Sequence, residues 1–285
     1  MNSENISLSI ITLSYNQGVY LQENIDSIKS VLRVAKDIEH IIIDPGSKDE
    51  SRSLIDEYSE KHLNIVKVYE SDCGPAEGLN KGLRIARGEW IGILNADDYY
   101  IDDSMIEFLR RLPKLRKYDI VYGYGFTLQH HTLKRVHVGR LNLRNFALGS
   151  QQIFQPSIFF RSELIFRTNI RFNELNRTCW DAEFIFDLMK IGKAKVKRLN
   201  LFFSVFRLHP KSISGSQANQ YTYMEDIALI TLRAKVGRNQ KLDEVANAFQ
   251  QSKLLKYPKK LLILILNQIY SLNLKMNKIR ESTTL

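Results

Sequence analysis

Two adjacent carboxylates, Asp97 and Asp98, close the segment Trp90-Ile91-Gly92-Ile93-Leu94-Asn95-Ala96. The apolar part reads as a strand buried on both faces, and strand interiors disfavour both Asp and Asn. Side by side the two acids repel one another. At the carboxyl edge of a parallel sheet, a divalent cation such as Mg²⁺ or Mn²⁺ offsets that repulsion and shares the oxygens with a phosphate. The same residues could also form only a polar turn leading into a helix near Asp103. The chain repeats the pattern. Asp44 follows His40-Ile41-Ile42-Ile43, and Asp72 follows the apolar stretch Ile65–Tyr69 after two polar residues.

Those carboxylates need elements to position them. Ile6 to Leu13 reads as a first strand, ending in the polar loop Ser14-Tyr15-Asn16-Gln17-Gly18. Leu21, Ile25, Ile28 and Leu32 then recur at helical spacing. Leu54, Ile55 and Tyr58 mark a second helix behind Asp49, and Ala76, Leu79, Leu83 and Ala86 a third that stops at Gly88. Strand and helix thus alternate four times in about a hundred residues, which predicts a mostly parallel α/β sheet flanked by helices. In such a sheet Asp44, Asp72 and the Asp97-Asp98 pair share one edge and one crevice.

Several function classes are disfavoured. No GxGxxG follows the first strand and no GxxxxGK[ST] occurs, against a nicotinamide or flavin Rossmann enzyme and a P-loop NTPase. Cys73 and Cys179 form neither a CxxC pair nor a disulfide framework, which fits a reducing, cytoplasmic setting. The start, MNSENISLSIITL, lacks a basic region and reads as a strand rather than a secretion signal. No apolar stretch reaches the length of a membrane span. The formal charge of +10 calls for an anionic partner. Nucleic acid is not expected, because neither zinc-finger spacing nor an RNP-like motif is present.

The blocks SIITLSYN, IIIDPGSKDES and ESDCGPAEGLNKGLRIARGEWIGILNADD resemble the nucleotide-sugar half of a family 2 glycosyltransferase of GT-A fold. The resemblance runs over about residues 6–215. It implies an inverting enzyme of the bacterial surface-polysaccharide type, with a nucleoside-diphosphate sugar as donor and a glycan, such as a lipid-linked one, as acceptor. It places Ser14 and Asn16 near the nucleotide, Asp44 at the base, and Asp72 with Lys81 around the nucleotide pocket. Asp97 and Asp98 would hold Mn²⁺ or Mg²⁺ and the ribose-diphosphate region. Asp44 reads equally as a turn residue with Pro45 and Gly46, and Lys81 as a solvated helix position. Asn95 stands where relatives often carry an acid. Its amide can bond a ribose hydroxyl but brings no charge to a cation. Glu77 stands where many relatives carry Asp.

In the second half, Asp119 to Tyr124 reads as a strand and Phe126 to Val138 as a polar hairpin. Its histidines, His130, His131 and His137, read as surface residues. Gln155-Pro156-Ser157 resembles the family segment that opens the acceptor side. Trp180-Asp181-Ala182-Glu183 begins a helix, where acids suit the dipole and caps. The resemblance makes Asp181 the general base that takes the acceptor hydroxyl's proton, with Glu183 as the fallback. Arg207 and His209, in VFRLHPKSIS, are candidates for the diphosphate or the metal, with a loop histidine as the plain reading.

The organisation expected is a GT-A domain over 1–216, with a nucleotide-sugar half to about 125 and an acceptor half over about 126–216. A helical, basic extension over 217–285 follows. Its short apolar run Leu261–Leu266, flanked by lysines, suits either the anionic inner face of a membrane, as a peripheral contact, or a core-covering or homo-oligomer helix. The competing functional reading is a non-catalytic GT-A-like protein that binds a nucleotide or glycan without turnover.

Overall fold

The computed structural model describes residues 6–210, 212 and 219–235. Expectations for the tail beyond 235, including the Leu261–Leu266 run, lie outside the described residues. The chain begins with β1 (Leu8–Leu13), α1 (Gly18–Val34), β2 (Ile38–Ile43), α2 (Ser51–Lys61), β3 (Ile65–Val68), α3 (Pro75–Ile85) and β4 (Trp90–Ile93). A two-residue strand β5 (Tyr99–Tyr100), helix α4 (Asp102–Leu115) and the hairpin β6 (Ile120–Gln129)–β7 (Thr132–Arg135) follow. Then come α5 (Leu143–Ala147), β8 (Ile158–Arg161), α6 (Ser162–Thr168), α7 (Trp180–Lys190), β9 (Val196–Arg207) and α8 (Gln220–Lys235).

These strands form one curled sheet in the order β3-β2-β1-β4-β8-β6-β9-β5, with β7 on the outer side of β6. The first four pair in parallel, and the order reverses at β1, so the crevice outside β1 and β4 is a topological switch point. β1, β2 and β4 are buried almost throughout, as their continuous apolar runs predict. One core face packs Ile11, Ile43, Leu79, Ile93 and Phe160 against α3 and α7. The other packs Ile10, Leu21, Ile42, Trp90, Phe108 and Phe159 against α1 and α4.

Local chemistry fixes the loops at the switch point. Gly74 sits at φ +146°, open to glycine at little cost, and Pro75 starts α3 directly behind it. Gly125 allows a close approach in β6. A Cβ there would meet the Phe154 ring at 2.2 Å, so the glycine admits an aromatic side chain of the cleft wall. His130 and His131 form the exposed turn of the β6–β7 hairpin at positive φ, and His137 is also exposed.

Helix α8 packs on α5 and α7. Its Arg233, almost fully buried, donates to Glu183 Oε1 (2.9 Å) and Asp187 Oδ1 (2.5 Å), and its Asp226 accepts from the Thr178 hydroxyl (2.7 Å). No described helix is long and apolar enough to cross a membrane.

Candidate active site

The turn after β4 is held from three sides. Asn24, wholly buried on α1, donates through Nδ2 to the carbonyls of Asn95 (2.9 Å) and Asp98 (3.0 Å). Gln155 Nε2 donates to the Ile93 carbonyl at 2.6 Å. Arg207 Nε donates to the Asp97 carbonyl at 3.1 Å, while its guanidinium pairs with Glu23 and lies 4.9 Å over the Tyr20 ring. The turn is thereby rigid before any ligand arrives.

Its two carboxylates have separate surroundings. Asp97 lines a cleft of about 370 Å³, and its Oδ2 lies 2.9 Å from His209 Nε2. Asp98 is 1% exposed and is not among the residues lining that cleft. Its Oδ1 accepts the Arg207 backbone N–H at 2.9 Å, and Oδ2 has no hydrogen-bond partner among the described residues. Burial, then the neighbouring Asp97 charge, push the Asp98 carboxyl well above the usual range. The sequence treats the acids as a pair, whereas the structure turns one to the cleft and one to the β9 backbone.

Asn95 and Asp97 share the cleft with Trp180, Asp181, Phe206 and Thr178. Asp181 stands in the first turn of α7, where Oδ1 accepts the Ala182 N–H at 2.8 Å. Burial raises its pKa to about 6. Glu183 points elsewhere: Asn173, Asn176 and Arg233 all donate to it, so the fallback base is a structural carboxylate.

A second hollow of about 380 Å³ adjoins the first through Leu13, Tyr15 and Pro75. Ser14, Ile43, Pro45, Asp72, Cys73 and Gly74 complete its wall. The Ser14 hydroxyl is buried there without a hydrogen-bond partner among the described residues. Asp72 Oδ1 accepts the Gly74 N–H at 3.0 Å, and burial raises its pKa. Asp44 lies just behind. Its Oδ1 accepts from Gly46 N (2.9 Å), Ser47 N (2.8 Å) and Arg52 Nε (3.0 Å), and its Oδ2 is buried without a partner among the described residues.

Asn16 and Lys81, expected near the nucleotide, hold the neighbouring loops. Asn16, at φ 53°, accepts the Lys48 N–H through Oδ1 (2.8 Å), and so ties the loop after β1 to the loop after β2. Lys81 donates to the Ser71 carbonyl at 2.5 Å and lies 3.6 Å from Glu77, pinning the loop that carries Asp72. Neither lines a hollow.

The residue types bear on a divalent cation. Among the described residues no group of three or more His, Cys, Asp or Glu is placed to hold a metal ion. Asp97 and His209 nevertheless present a carboxylate and an imidazole side by side, a donor pair suited to Mn²⁺ or Mg²⁺ when phosphate oxygens and water complete the shell.

Sequence reasoning missed Asn24, Tyr15, Trp180 and Phe206 as site residues. Asn24 leaves one signal, an amide set inside the apolar stripe Leu21-Ile25-Ile28. Trp180 announces itself only by adjoining Asp181.

Comparison with known proteins identifies the family and the fold. Residues 9–169 match the model of glycosyl transferase family 2. The uncharacterized glycosyltransferase EpsJ of Bacillus subtilis (strain 168) is 26% identical over 221 residues, covering 73% of this chain and 62% of that protein. S. aureus TarS 1-349 in complex with UDP-GlcNAc superposes with a TM-score of 0.66 at 15% identity, over 86% of this chain and 70% of the other. The mannosyltransferase PcManGT from Pyrobaculum calidifontis, in complex with GDP-Man and Mn²⁺, superposes at 0.55 and 17% identity, over 93% and 70%. The fold is that of the GT-A glycosyltransferases. With more than half its length matched by the family model, the chain belongs to glycosyl transferase family 2.

Proposed function

We propose that this protein transfers a sugar from a nucleoside-diphosphate sugar to a hydroxyl of a glycan acceptor, with inversion and with help from a divalent cation. One observation carries the reading: Asp97 and Asp181, 84 residues apart in the chain, line the same cleft. One carboxylate stands beside an imidazole at the switch point, where phosphates bind. The other begins α7, and burial raises its pKa to about 6. TarS and PcManGT carry UDP-GlcNAc and GDP-Man in their structures, which supports a nucleotide-sugar donor here.

The nucleoside is assigned to the hollow walled by Ser14, Pro45 and Asp72, where the Ser14 hydroxyl has no hydrogen-bond partner among the described residues and Asp44 sits in the chain between the lining residues Ile43 and Pro45. Asn95 faces the ribose-diphosphate side of the cleft. Asp97 and His209 are the residues that would hold the cation, which supplies charge neutralisation on the departing diphosphate. Asp98 and Arg207 keep that wall rigid.

In the transfer the acceptor oxygen attacks the anomeric carbon while Asp181 takes the hydroxyl proton. The bond from that carbon to the diphosphate oxygen breaks, and the nucleoside diphosphate leaves with its electron pair. A single displacement needs one base, which agrees with Glu183 being committed to Arg233. Trp180 and Phe206 give the acceptor side apolar faces on which sugar rings pack.

The test is a thermal-shift screen of nucleotide sugars with and without Mn²⁺, followed by transfer or donor-hydrolysis assays on the hits. A Mn²⁺-dependent shift with turnover supports a transferase. A shift without turnover under any acceptor supports the non-catalytic binding reading.

A further inference from the structure

The cations of this chain are unevenly spread. Between Ile120 and Ser162 the sequence carries five Lys or Arg and no Asp or Glu. Between Leu188 and Met224 it carries seven and again no acid. The structure brings these two stretches together, because β6 and β9 pair in parallel along most of their length and β7 flanks β6. One acid-poor edge of the sheet results.

Five cations of that edge stand exposed: Lys134, Arg135, Arg140, Lys197 and Arg198. None makes an ion pair among the described residues, whereas Arg161, a core-side cation of the same stretch, pairs with both Glu89 and Glu163. Arg140, Lys197 and Arg198 line a trough of about 460 Å³ with Asn142 and Tyr122. Beside it Tyr124, Phe202 and Phe126 stack in a row, with ring centroids 5.3 and 5.0 Å apart. Arg135 lies 4.8 Å over Phe202 and Arg198 lies 5.6 Å over Tyr124. Strand β9 runs on from Arg198 to Phe206, which lines the catalytic cleft. Eight residues of strand span roughly 26 Å at about 3.3 Å each, the length of several sugar units.

Unpaired like charges held on one edge repel one another, and an anionic ligand relieves that cost. A flat anionic surface would not use a trough, nor half-buried rings turned along a strand. A chain in which phosphates alternate with sugars or polyols would use both. Its phosphates meet the Arg and Lys groups, and its carbon faces meet the rings. We infer that the β6–β7–β9 edge is an acceptor-docking ledge for a phosphodiester-linked, polyanionic glycan, which it holds several units away from the transfer site. This rests on the transferase reading and narrows its acceptor.

The probe is a synthetic poly(glycerol phosphate) oligomer of about ten units, with a neutral dextran oligomer and phosphatidylglycerol vesicles as comparisons. Binding to the full chain is followed by fluorescence anisotropy across a salt series. The variants are Arg135→Gln/Arg140→Gln/Lys197→Gln and the charge-reversing Arg135→Glu/Arg140→Glu/Lys197→Glu. The expected result is binding of the phosphodiester oligomer and not of dextran, weakened at least tenfold in the Gln variant and abolished in the Glu variant. The salt slope should fall with each cation removed. Mn²⁺-dependent stabilisation by the nucleotide sugar should be the same in all three proteins, which separates failure of the ledge from failure of the transferase reading. Equal oligomer binding by wild type and the Gln variant overturns the inference. So does loss of vesicle binding alone, which would make the edge a membrane contact.

Discussion

His209 Nε2 lies 2.9 Å from Asp97 Oδ2, although the two residues are 112 positions apart. The contact closes the gap between the strand-end turn after β4 and the segment leaving β9. It sets an imidazole and a carboxylate at one point on the cleft wall, with the Tyr20 ring 4.9 Å from the imidazole. Asp97→Ala and His209→Ala should each weaken Mn²⁺-dependent donor binding by roughly tenfold or more, since each removes one of two protein donors. Isothermal titration with the nucleotide sugar, with and without Mn²⁺, checks this. Metal-independent affinity should change little. Unchanged Mn²⁺ dependence in both variants would remove the cation from this corner.

Asp98 should behave differently from its neighbour. Its side chain meets the Arg207 N–H inside the protein and its carboxyl is held well above the usual range by burial. Asp98→Asn keeps an oxygen for that N–H and removes a buried acid, so Mn²⁺-dependent donor affinity should survive. Asp97→Asn should lose it. A large, selective loss of metal dependence in Asp98→Asn would restore this residue as a ligand.

How far this site is legible in the sequence follows from the range of each signal. β1, β2 and β4 announce themselves because a strand buried on both faces is dominated by apolar residues, and each run gives way to a polar residue within two positions. The pairing of Tyr99–Tyr100 with β9 is invisible, because two residues carry no periodicity. Asp97 beside His209 comes from family resemblance and not from spacing. The division of labour between Asp97 and Asp98 depends on which way a turn faces, which Asn24 and Arg207 decide from distant parts of the chain. Glu183 looked like a spare base because its partner Arg233 lies fifty residues on.

That partner makes a stability prediction. Arg233→Met removes the cation shared by Glu183 and Asp187 and so breaks a buried ion-pair network between α7 and α8. Removing one member of such a network costs about 3–5 kcal/mol. The lower end is expected, since Asn173 and Asn176 still donate to Glu183. Thermal melting of the variant checks the loss, and Arg233→Met/Glu183→Gln should recover part of it. An unchanged melting temperature would show that α8 does not clasp α7.

Asp181 carries the last prediction, because its two roles pull in opposite directions. A base works when ionised, and burial has raised this carboxyl to about 6 from an ordinary value near 3.8. Transfer should therefore rise as pH increases through about 6 and level off above it. Asp181→Asn should lower turnover by roughly a hundredfold to ten-thousandfold with donor affinity preserved, and the residual activity should lose that pH step. The same shift bears on stability with a definite sign. A carboxyl whose folded-state pKa lies above its unfolded value favours the folded state below pH 4 or so and progressively disfavours it as pH rises through about 6. At pH 8 the native protein holds a poorly solvated charge, at a cost of at most about 3 kcal/mol by the 1.36 kcal/mol per pKa unit. Asp181→Asn should then melt higher than wild type at pH 8 and at nearly the same temperature near pH 4. A residue that only caps α7 predicts neither the lost turnover nor the pH-dependent gain, because Asn caps a helix about as well as Asp. Melting curves and initial rates on one variant at pH 4, 6 and 8 separate the two, and near-native turnover with an unchanged melting curve would move the base off Asp181.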